Sequence, residues 1–266
     1  MENFLQVVLL GIIEGITEFL PISSTGHLLI AEKLGLGHRS DVFNIVIQAG
    51  AILAVTVIYW QRIWQLLVNI HLPENKDYAA KLAVAFLVTM VIMYIATKMG
   101  FKLPKEITPI AWALIIGGFW MLAAEWLAAK KADSSIITWP VAVVVGLAQA
   151  VAGIFPGTSR SGSTIFAAML TGTSNRAAAT EFAFLVGIPT MYAASAKEIY
   201  GAIQATSVGV HENWFDLGVG FVVSTITAFV AVKWLLRYIQ THKFTWFAIY
   251  RIVFGLALLL LLPSGA

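Results

Sequence analysis

Long apolar segments recur along the chain, and they restrict its fold more than any other feature of the sequence. Six are long enough to cross a bilayer, at about 41–60, 81–100, 108–128, 177–199, 214–238 and 246–262. A helix that spans the hydrocarbon core needs about 20 apolar residues. Only 12% of the 266 residues are charged, whereas soluble domains are about 25% charged. The sequence therefore predicts an all-α integral membrane protein with a single polytopic domain.

Four further apolar segments are short and form two pairs, 4–20 with 24–36 and 138–155 with 161–174. A stretch rich in Pro, Gly and Ser interrupts each pair, at 21–26 and at 156–162. A 12-residue helix is only about 18 Å long, which is less than the roughly 30 Å of the hydrocarbon core. Irregular backbone at that depth has to be buried in protein or line a wet cavity. Each pair is therefore predicted to form a re-entrant helix–loop–helix hairpin.

The two short pairs resemble each other at a constant offset of 135 residues. The alignment pairs Gly11, Glu14, Gly15, Pro21, Ser23 and Ser24 with Gly146, Gln149, Ala150, Pro156, Thr158 and Ser159. Three predicted crossing helices follow each pair, and an odd number of crossings forces the two halves into opposite orientations. The sequence thus predicts an inverted-topology repeat with halves of about 1–130 and 131–266, a design that places the site at the repeat interface.

Charge excludes some partners and predicts an orientation. The net charge of +3 is too small to indicate a nucleic-acid partner, and the absence of cysteine excludes disulfides and thiol chemistry. Basic residues mark the predicted cytoplasmic loops, namely Arg62, Lys76, Lys130, Lys131, Arg176, Arg237 and Lys243. The loop near 200–213 lacks Lys and Arg and is predicted to lie outside, whereas Lys98, Lys102 and Lys105 run against this scheme. Both termini, and the entrance of the first hairpin, are then predicted to face outside.

Two carboxylates share one face of the first short helix. Glu14 and Glu18 stand at positions i and i+4, so their side chains are neighbours. An ionisable side chain inside a membrane segment is costly and needs a cavity or a partner. The pair suits a divalent cation, Mg²⁺ or Ca²⁺, and either carboxylate suits a general base. The structural alternative is a pair of residues near the interface that bind an Arg.

Hydroxyl groups and a histidine follow the two carboxylates. His27 comes one turn after Ser23 and Ser24, and a hydroxyl beside an imidazole can act as a nucleophile with its base. The imidazole can also attack phosphorus itself or protonate a leaving oxygen. The structural alternative is a serine turn or helix cap beside a buried, hydrogen-bonded histidine.

The second interruption carries a cluster of anion donors. Hydroxyls and a guanidinium crowd the start of the short helix, at a terminus that favours anions, and the predicted ligands are Ser159, Arg160, Ser161 and Thr164, with Ser23 from the first hairpin. A structural alternative is a capped helix with a snorkelling Arg160. Arg251, deep in the last apolar segment, is a second candidate phosphate ligand. The Walker A pattern Gly-x-x-x-x-Gly-Lys is absent, which disfavours nucleotide hydrolysis.

The segments Glu14–His27 and Pro156–Thr164 resemble the two signatures of the bacterial undecaprenyl pyrophosphate phosphatases, also called bacitracin-resistance proteins. The resemblance implies hydrolysis of undecaprenyl pyrophosphate, a long-chain prenyl pyrophosphate lipid, to undecaprenyl phosphate and inorganic phosphate. This reaction recycles the lipid carrier of cell-wall synthesis and reduces the amount of the lipid pyrophosphate that bacitracin binds. The resemblance also implies a multi-pass protein of the bacterial inner (plasma) membrane, with a site open to the periplasm or outside.

On this resemblance, Glu14 and Glu18 bind the divalent cation or activate the nucleophile. Either Ser24 or His27 is the nucleophile and the other is its partner, and both a phosphoenzyme and direct attack by water stay open. The phosphates are held by Ser159, Arg160 and Thr164, and Arg251 joins them.

Transport is the competing function. Inverted repeats and re-entrant loops are typical of transporters, so the chain could flip undecaprenyl phosphate across the membrane. A flippase needs anion ligands such as Arg160 but no nucleophile beside acids. The sequence leaves the metal, the preferred prenyl chain length and the oligomeric state open, a homodimer included.

Overall fold

The computed structural model describes residues 2–100, 106–206 and 213–261, and all regular secondary structure within these ranges is helical. Its helices are α1 (Glu2–Thr17), α2 (Ser24–Ala31), α3 (Asp41–Ile58), α4 (Trp60–Val68), α5 (Pro73–Lys98), α6 (Ile107–Ala128), α7 (Trp139–Ile154), α8 (Arg160–Thr171), α9 (Arg176–Thr206), α10 (Trp214–Thr241) and α11 (Thr245–Leu261). A π-helical turn, Glu32–Leu36, continues α2. The prediction of an all-α chain is confirmed.

Five of the described helices are long and apolar enough to cross a membrane. The candidate spans are Asp41–Ile58, Pro73–Lys98, Ile107–Ala128, Arg176–Gly201 and Trp214–Thr241. They correspond to five of the six predicted crossings. The sixth, predicted at 246–262, corresponds to α11, whose 17 residues form a shorter apolar helix. Residue 262 lies outside the described ranges.

The outer faces of α5 and α10 carry large apolar side chains. Every fourth residue is exposed in Leu87, Val91 and Ile95 of α5 and in Val222, Ile226 and Val230 of α10. Residues four apart lie on one helix face, so each helix presents a continuous apolar stripe away from the protein. Soluble proteins rarely expose such surfaces. The chain is therefore a multi-pass membrane protein whose outer helix faces contact lipid.

α5 begins at Pro73, well before the predicted boundary at 81. Proline suits the first turn of a helix because its missing N–H has no intrahelical partner there. The added turns are polar, and Lys81 forms an ion pair with Asp77 four residues earlier. Hydropathy alone places the helix start too late because it detects only the apolar part.

Each short helix pair is joined at its open end. Near the start of α1, Gln6 Nε2 donates to the Gly35 carbonyl after α2, at 3.3 Å. Between the start of α7 and the end of α8, Ser134 N donates to Ser174 Oγ at 2.9 Å, and Thr173 Oγ1 donates to the Ile136 carbonyl at 2.8 Å. The two ends of each short helix pair therefore lie close together.

The second helices of the two hairpins start with the same turn. The N-caps Ser23 and Ser159 have φ angles of 74° and 66°, in the left-handed region that few non-glycine residues occupy. Each hydroxyl accepts a hydrogen bond from the backbone N–H three residues later, on Gly26 at 3.4 Å and on Gly162 at 3.2 Å. This is the usual role of a capping serine.

These caps correct the predicted alignment of the hairpins. The offset of 135 pairs Ser23 with Thr158, but the cap geometry makes Ser159 the counterpart of Ser23. The prediction is therefore wrong by one residue at the caps. The second hairpin has one residue more between Gln149 and its cap than the first has between Glu14 and its cap, which a constant offset does not represent.

The first helix of each hairpin packs closely on a long helix from the other half of the chain. α1 packs on α10, and α7 packs on α5. Glycines allow this approach, since a Cβ on Gly11 would lie 3.0 Å from the Gly220 carbonyl oxygen and one on Gly146 would lie 2.6 Å from that of Ala85. Small residues at such crossings let helix backbones come together in membranes. Each hairpin is thereby held by a long helix from the other half of the chain, α1 by α10 and α7 by α5.

Two of the basic residues that are predicted to be cytoplasmic, Arg62 and Arg176, lie close to one polar cavity. Arg62 pairs with Glu181 at 3.1 Å and lines a polar cavity of about 670 Å³ together with Asn175. The next residue, Arg176, binds the Glu125 carboxylate with two N–H groups. Lys102 and Lys105, which run against the predicted orientation, and residues 207–212 of the loop predicted to lie outside fall beyond the described ranges.

Candidate active site

The irregular segments of the two hairpins meet inside the helix bundle, and we call this meeting point the junction. It comprises residues 18–24 and 155–161. Ser161 Oγ donates to the Leu20 carbonyl at 3.1 Å, which ties the start of α8 to the first loop. Both α2 and α8 begin here, so two helix N-termini contribute partial positive charge.

The Glu18 carboxylate is the centre of the junction. Ser24 Oγ donates a hydrogen bond to Glu18 Oε2, and Arg160 Nη2 donates to Glu18 Oε1. All three residues were predicted site residues, and they come from both hairpins. A hydroxyl on a carboxylate can lose its proton to that carboxylate, while the adjacent guanidinium offers a planar fork to phosphate oxygens.

Glu14 lies one helical turn before Glu18 in the chain and is fully buried, at 0% exposure. Neither of its carboxylate oxygens has a hydrogen-bond donor among the described residues. A buried carboxylate without a partner is costly, and it is relieved by a bound cation or by a proton. Its two free oxygens fit the oxygen-donor chemistry of Mg²⁺ or Ca²⁺. No group of three or more Asp, Glu, His or Cys side chains within the described ranges could hold a metal by itself.

His27 has partners other than Ser24. Its Nδ1 lies 2.7 Å from the Ser23 carbonyl and its Nε2 lies 2.7 Å from the Tyr250 hydroxyl. The carbonyl can only accept, so Nδ1 carries a proton and the neutral ring receives the tyrosine proton at Nε2. The ring also stacks on Phe254 at 4.6 Å between centroids. The Ser24 hydroxyl therefore contacts the Glu18 carboxylate rather than His27, and the catalytic roles of Ser24 and His27 stay a prediction.

Most hydroxyls predicted to bind phosphate are engaged within the protein. Ser23 and Ser159 cap α2 and α8, and Ser159 Oγ also lies 3.2 Å from Ser161 Oγ. Thr164 Oγ1 donates back to the Arg160 carbonyl at 2.8 Å. These groups shape the turn that carries Arg160, whose guanidinium is the predicted phosphate ligand that contacts the Glu18 carboxylate.

Arg251 is fully buried and joins the two loops. Its N–H groups donate to the Pro21 carbonyl at 3.3 Å and to the Gly157 carbonyl at 2.9 Å, one from each hairpin. Two more donate to the carbonyls of Leu114 and Ala113 on α6. Direct phosphate binding by Arg251 stays a prediction, whereas its contacts give it a structural role that the sequence alone did not indicate.

Two residues that were not predicted to act at the site lie near it: a Cβ on Gly187 would lie 4.0 Å from both Arg160 Cζ and Gln149 Oε1, and Tyr250 contacts His27. Gln149, which the predicted repeat aligns with Glu14, donates to Thr89 Oγ1 at 3.0 Å and to Thr190 Oγ1 at 2.9 Å. In the sequence, Gln149 differs from the residue that the predicted repeat aligns with it, Glu14, which was the only indication of a role. Nothing in the sequence indicated a role for Tyr250 except its position next to Arg251.

The fold and the junction define a class of protein: a multi-pass membrane protein with acids, a hydroxyl and a guanidinium enclosed between two short helices. The family described as bacitracin resistance protein BacA matches residues 7–257. Undecaprenyl-diphosphatase of Rhizobium etli (strain CIAT 652) is 64% identical over 263 residues, which cover 99% of this chain and 98% of that protein. The protein of the same name from Xanthomonas oryzae pv. oryzae (strain PXO99A) is 58% identical over the full length of both chains. The chain belongs to the BacA family.

Proposed function

We propose that this protein hydrolyses undecaprenyl diphosphate to undecaprenyl phosphate and inorganic phosphate. The observation that carries the proposal is the Glu18 carboxylate, which accepts from the Ser24 hydroxyl on one oxygen and from Arg160 on the other. The names of the relatives agree with this chemistry. The reaction returns the lipid carrier to cell-wall synthesis, and it removes the diphosphate that bacitracin binds, in agreement with the family name.

Ser24 acts as the nucleophile and Glu18 as its base. Ser24 Oγ attacks the terminal phosphorus, its proton passes to Glu18, and the bond to the bridging oxygen breaks. Undecaprenyl phosphate leaves and takes the proton from Glu18. A water molecule then gives its proton to Glu18 and attacks the phosphoserine; the bond to Ser24 Oγ breaks, Glu18 returns the proton to that oxygen, and inorganic phosphate is released. Arg160 and the two helix N-termini stabilise the negative charge that develops on the transferred group.

His27 positions the nucleophile. Its Nδ1–H holds the Ser23 carbonyl, and Tyr250 occupies its Nε2, so neither nitrogen is free to attack phosphorus in this state. The hydrogen bond to Ser23 supports the left-handed cap from which Ser24 reaches Glu18. This assignment favours Ser24 over His27 as the nucleophile.

Glu14 and Glu18 would hold a divalent cation, Mg²⁺ or Ca²⁺. The support is the pair of donor-free oxygens on the buried Glu14 carboxylate. Mg²⁺ is commonly bound by one or two carboxylates together with substrate phosphates, so these two side chains would fit such an ion. When bound, the cation supplies charge neutralisation at the phosphates.

The two hairpins are re-entrant and belong to an inverted repeat. Three observations support this topology: each hairpin is closed at its open end, both second helices begin with the same cap, and α1 packs on α10 as α7 packs on α5. α1 and α2 open beside the start of α10, where Arg39 lies 3.8 Å from Asp216, whereas α7 opens on the cavity beside the end of α10 that Ser135 and Gln240 line. With α11 as the sixth crossing, the protein lies in the bacterial plasma membrane with its site open to the outer side.

Phosphate release from undecaprenyl diphosphate by the purified protein in detergent tests the proposal. We expect release that requires a divalent cation and no gradient, and its loss in Glu18→Gln. Glu181→Gln is the matched control because this carboxylate pairs with Arg62 at the far end of the helices. A wild-type protein that releases no phosphate but moves undecaprenyl phosphate across vesicles would instead be a flippase.

A further inference from the structure

An apolar groove runs along the outer side of α8, between α6 and α7. α8 packs against both neighbours, whereas α6 and α7 have almost no direct contact with each other, so the space above α8 stays open. The groove has a volume of about 810 Å³, and its walls include Trp112, Ile116, Trp120, Leu147 and Val151. This volume lies within the range of about 300–1,000 Å³ that is typical of sites for small organic ligands.

The floor of the groove continues the helix face that begins with Arg160. Ser163, Ala167 and Leu170 line the groove, and they follow Arg160 at the spacing that keeps residues on one side of a helix. The groove thus starts one turn from the guanidinium that contacts Glu18. From Ser163 to Thr171 it extends for about 12 Å at 1.5 Å per residue.

Of the three hydroxyl side chains that line the groove, only that of Ser163, at the junction end, lacks a hydrogen-bond partner among the described residues. Thr158 donates to the Phe155 carbonyl, and Thr171 donates to the Ala167 carbonyl at 2.7 Å. Ser163 Oγ has no partner among the described residues and lies next to the start of α8. The remaining lining is apolar or aromatic. The matching ligand is a long hydrocarbon with an anionic group at the Arg160 end.

We propose that the groove formed by α6, α7 and α8 binds the polyprenyl tail of the substrate while its diphosphate occupies the junction. The inference rests on the proposed function and adds the part of the protein that recognises the tail. Head and tail are joined covalently, so hydrocarbon buried in the groove contributes to the affinity of the whole substrate. The acyl chain of an ordinary membrane lipid, the competing occupant, has no such connection to the site.

Ala148→Trp tests the groove, because Ala148 is half-buried on the α7 wall and a larger side chain would fill the space. The measurement compares kcat/KM for undecaprenyl and farnesyl diphosphate in detergent. We expect the long-chain to short-chain ratio to fall about tenfold, as loss of part of the buried tail predicts. The control is Ala83→Trp, the same substitution at an exposed position of α5, which should leave the ratio unchanged.

Ala113→Leu narrows the groove from α6 by a smaller amount and should lower the ratio in the same direction. An unchanged ratio in both groove variants, or an equal loss with both substrates, overturns the tail assignment and leaves the phosphatase proposal intact. If the wild-type protein releases no phosphate from either diphosphate, the proposed function fails and the tail assignment fails with it.

Discussion

The α1–α2 hairpin and the α7–α8 hairpin open their second helices with the same serine cap, Ser23 in one and Ser159 in the other. The residue after the cap differs, since it is Ser24 in the first hairpin and Arg160 in the second. Both side chains reach the Glu18 carboxylate. The same cap geometry therefore places the Ser24 hydroxyl and the Arg160 guanidinium on the two oxygens of one carboxylate. The proposed phosphate site needs both groups.

The first helices of the hairpins differ in the same manner. Glu14 is buried without a hydrogen-bond donor among the described residues, whereas Gln149 donates to Thr89 and Thr190. Unsatisfied buried polar groups reduce stability, and they persist where function requires them. The first hairpin thus carries a buried carboxylate with no hydrogen-bond donor, whereas in the second the Gln149 amide nitrogen is satisfied and only its Oε1 lacks a partner among the described residues.

Removing the hydroxyl of the first hairpin should have the largest effect. We expect Ser24→Ala to lower kcat on the order of 10⁶-fold, as loss of a serine nucleophile does, and to abolish a phosphoenzyme that acid quenching would trap. Thr25→Ala, which removes the exposed hydroxyl next in sequence, serves as the control. Turnover of Ser24→Ala within tenfold of wild type would show that water attacks directly.

Changing the cation of the second hairpin should have the next largest effect. Arg160→Lys keeps the charge but loses the planar fork, and we expect kcat/KM to fall about 10²–10³-fold, as for a lost oxyanion donor. Arg62→Lys, at the far end of the helices, should change kcat/KM little. Equal losses in the two variants would mean that Arg160 acts on the fold rather than on the substrate.

Separating the hairpins should lower stability. Arg251→Met leaves the Pro21 and Gly157 carbonyls without their donor, and we expect the free energy of unfolding to fall by about 3 kcal/mol. Denaturation in detergent measures this change, with the exposed Arg237→Met as the control. If stability holds while the KM for undecaprenyl diphosphate rises, Arg251 binds phosphate directly, as the sequence predicts.

Exchanging the acid of α1 and the amide of α7, in Glu14→Gln and Gln149→Glu, should have the smallest effect on stability. Gln149→Glu loses the amide donors to Thr89 and Thr190, so we expect the free energy of unfolding to fall by about 1–2 kcal/mol. Glu14→Gln should leave stability unchanged or raise it, while it weakens the dependence of turnover on divalent cations. A cation dependence that survives Glu14→Gln would place the metal elsewhere.

The sequence predicted those features that depend on residues close together in the chain, and it missed those that depend on contacts between distant residues. The apolar segments predicted the five long spans, and the Pro-, Gly- and Ser-rich interruptions predicted both hairpins. The cap register was wrong by one residue, because a loop tolerates an extra residue that a constant repeat offset does not contain. Arg251 was predicted only as a phosphate ligand, and its contacts with both loops and the contact of Tyr250 with His27 were not predicted, since the partners lie in distant parts of the chain.

The sequence by itself determined that the chain crosses a membrane, that two short helix pairs interrupt the crossings, and that acids, hydroxyls and one arginine stand at those interruptions. These properties follow from hydropathy and residue type. Only the tertiary structure decided that Ser24 contacts Glu18 rather than His27, and that Arg251 holds both loops. The Arg251–Pro21 contact joins positions 230 residues apart, which only packing brings together. Ser24 and Glu18 are six residues apart, but their contact depends on the path of the irregular loop between them, which residue type alone does not encode.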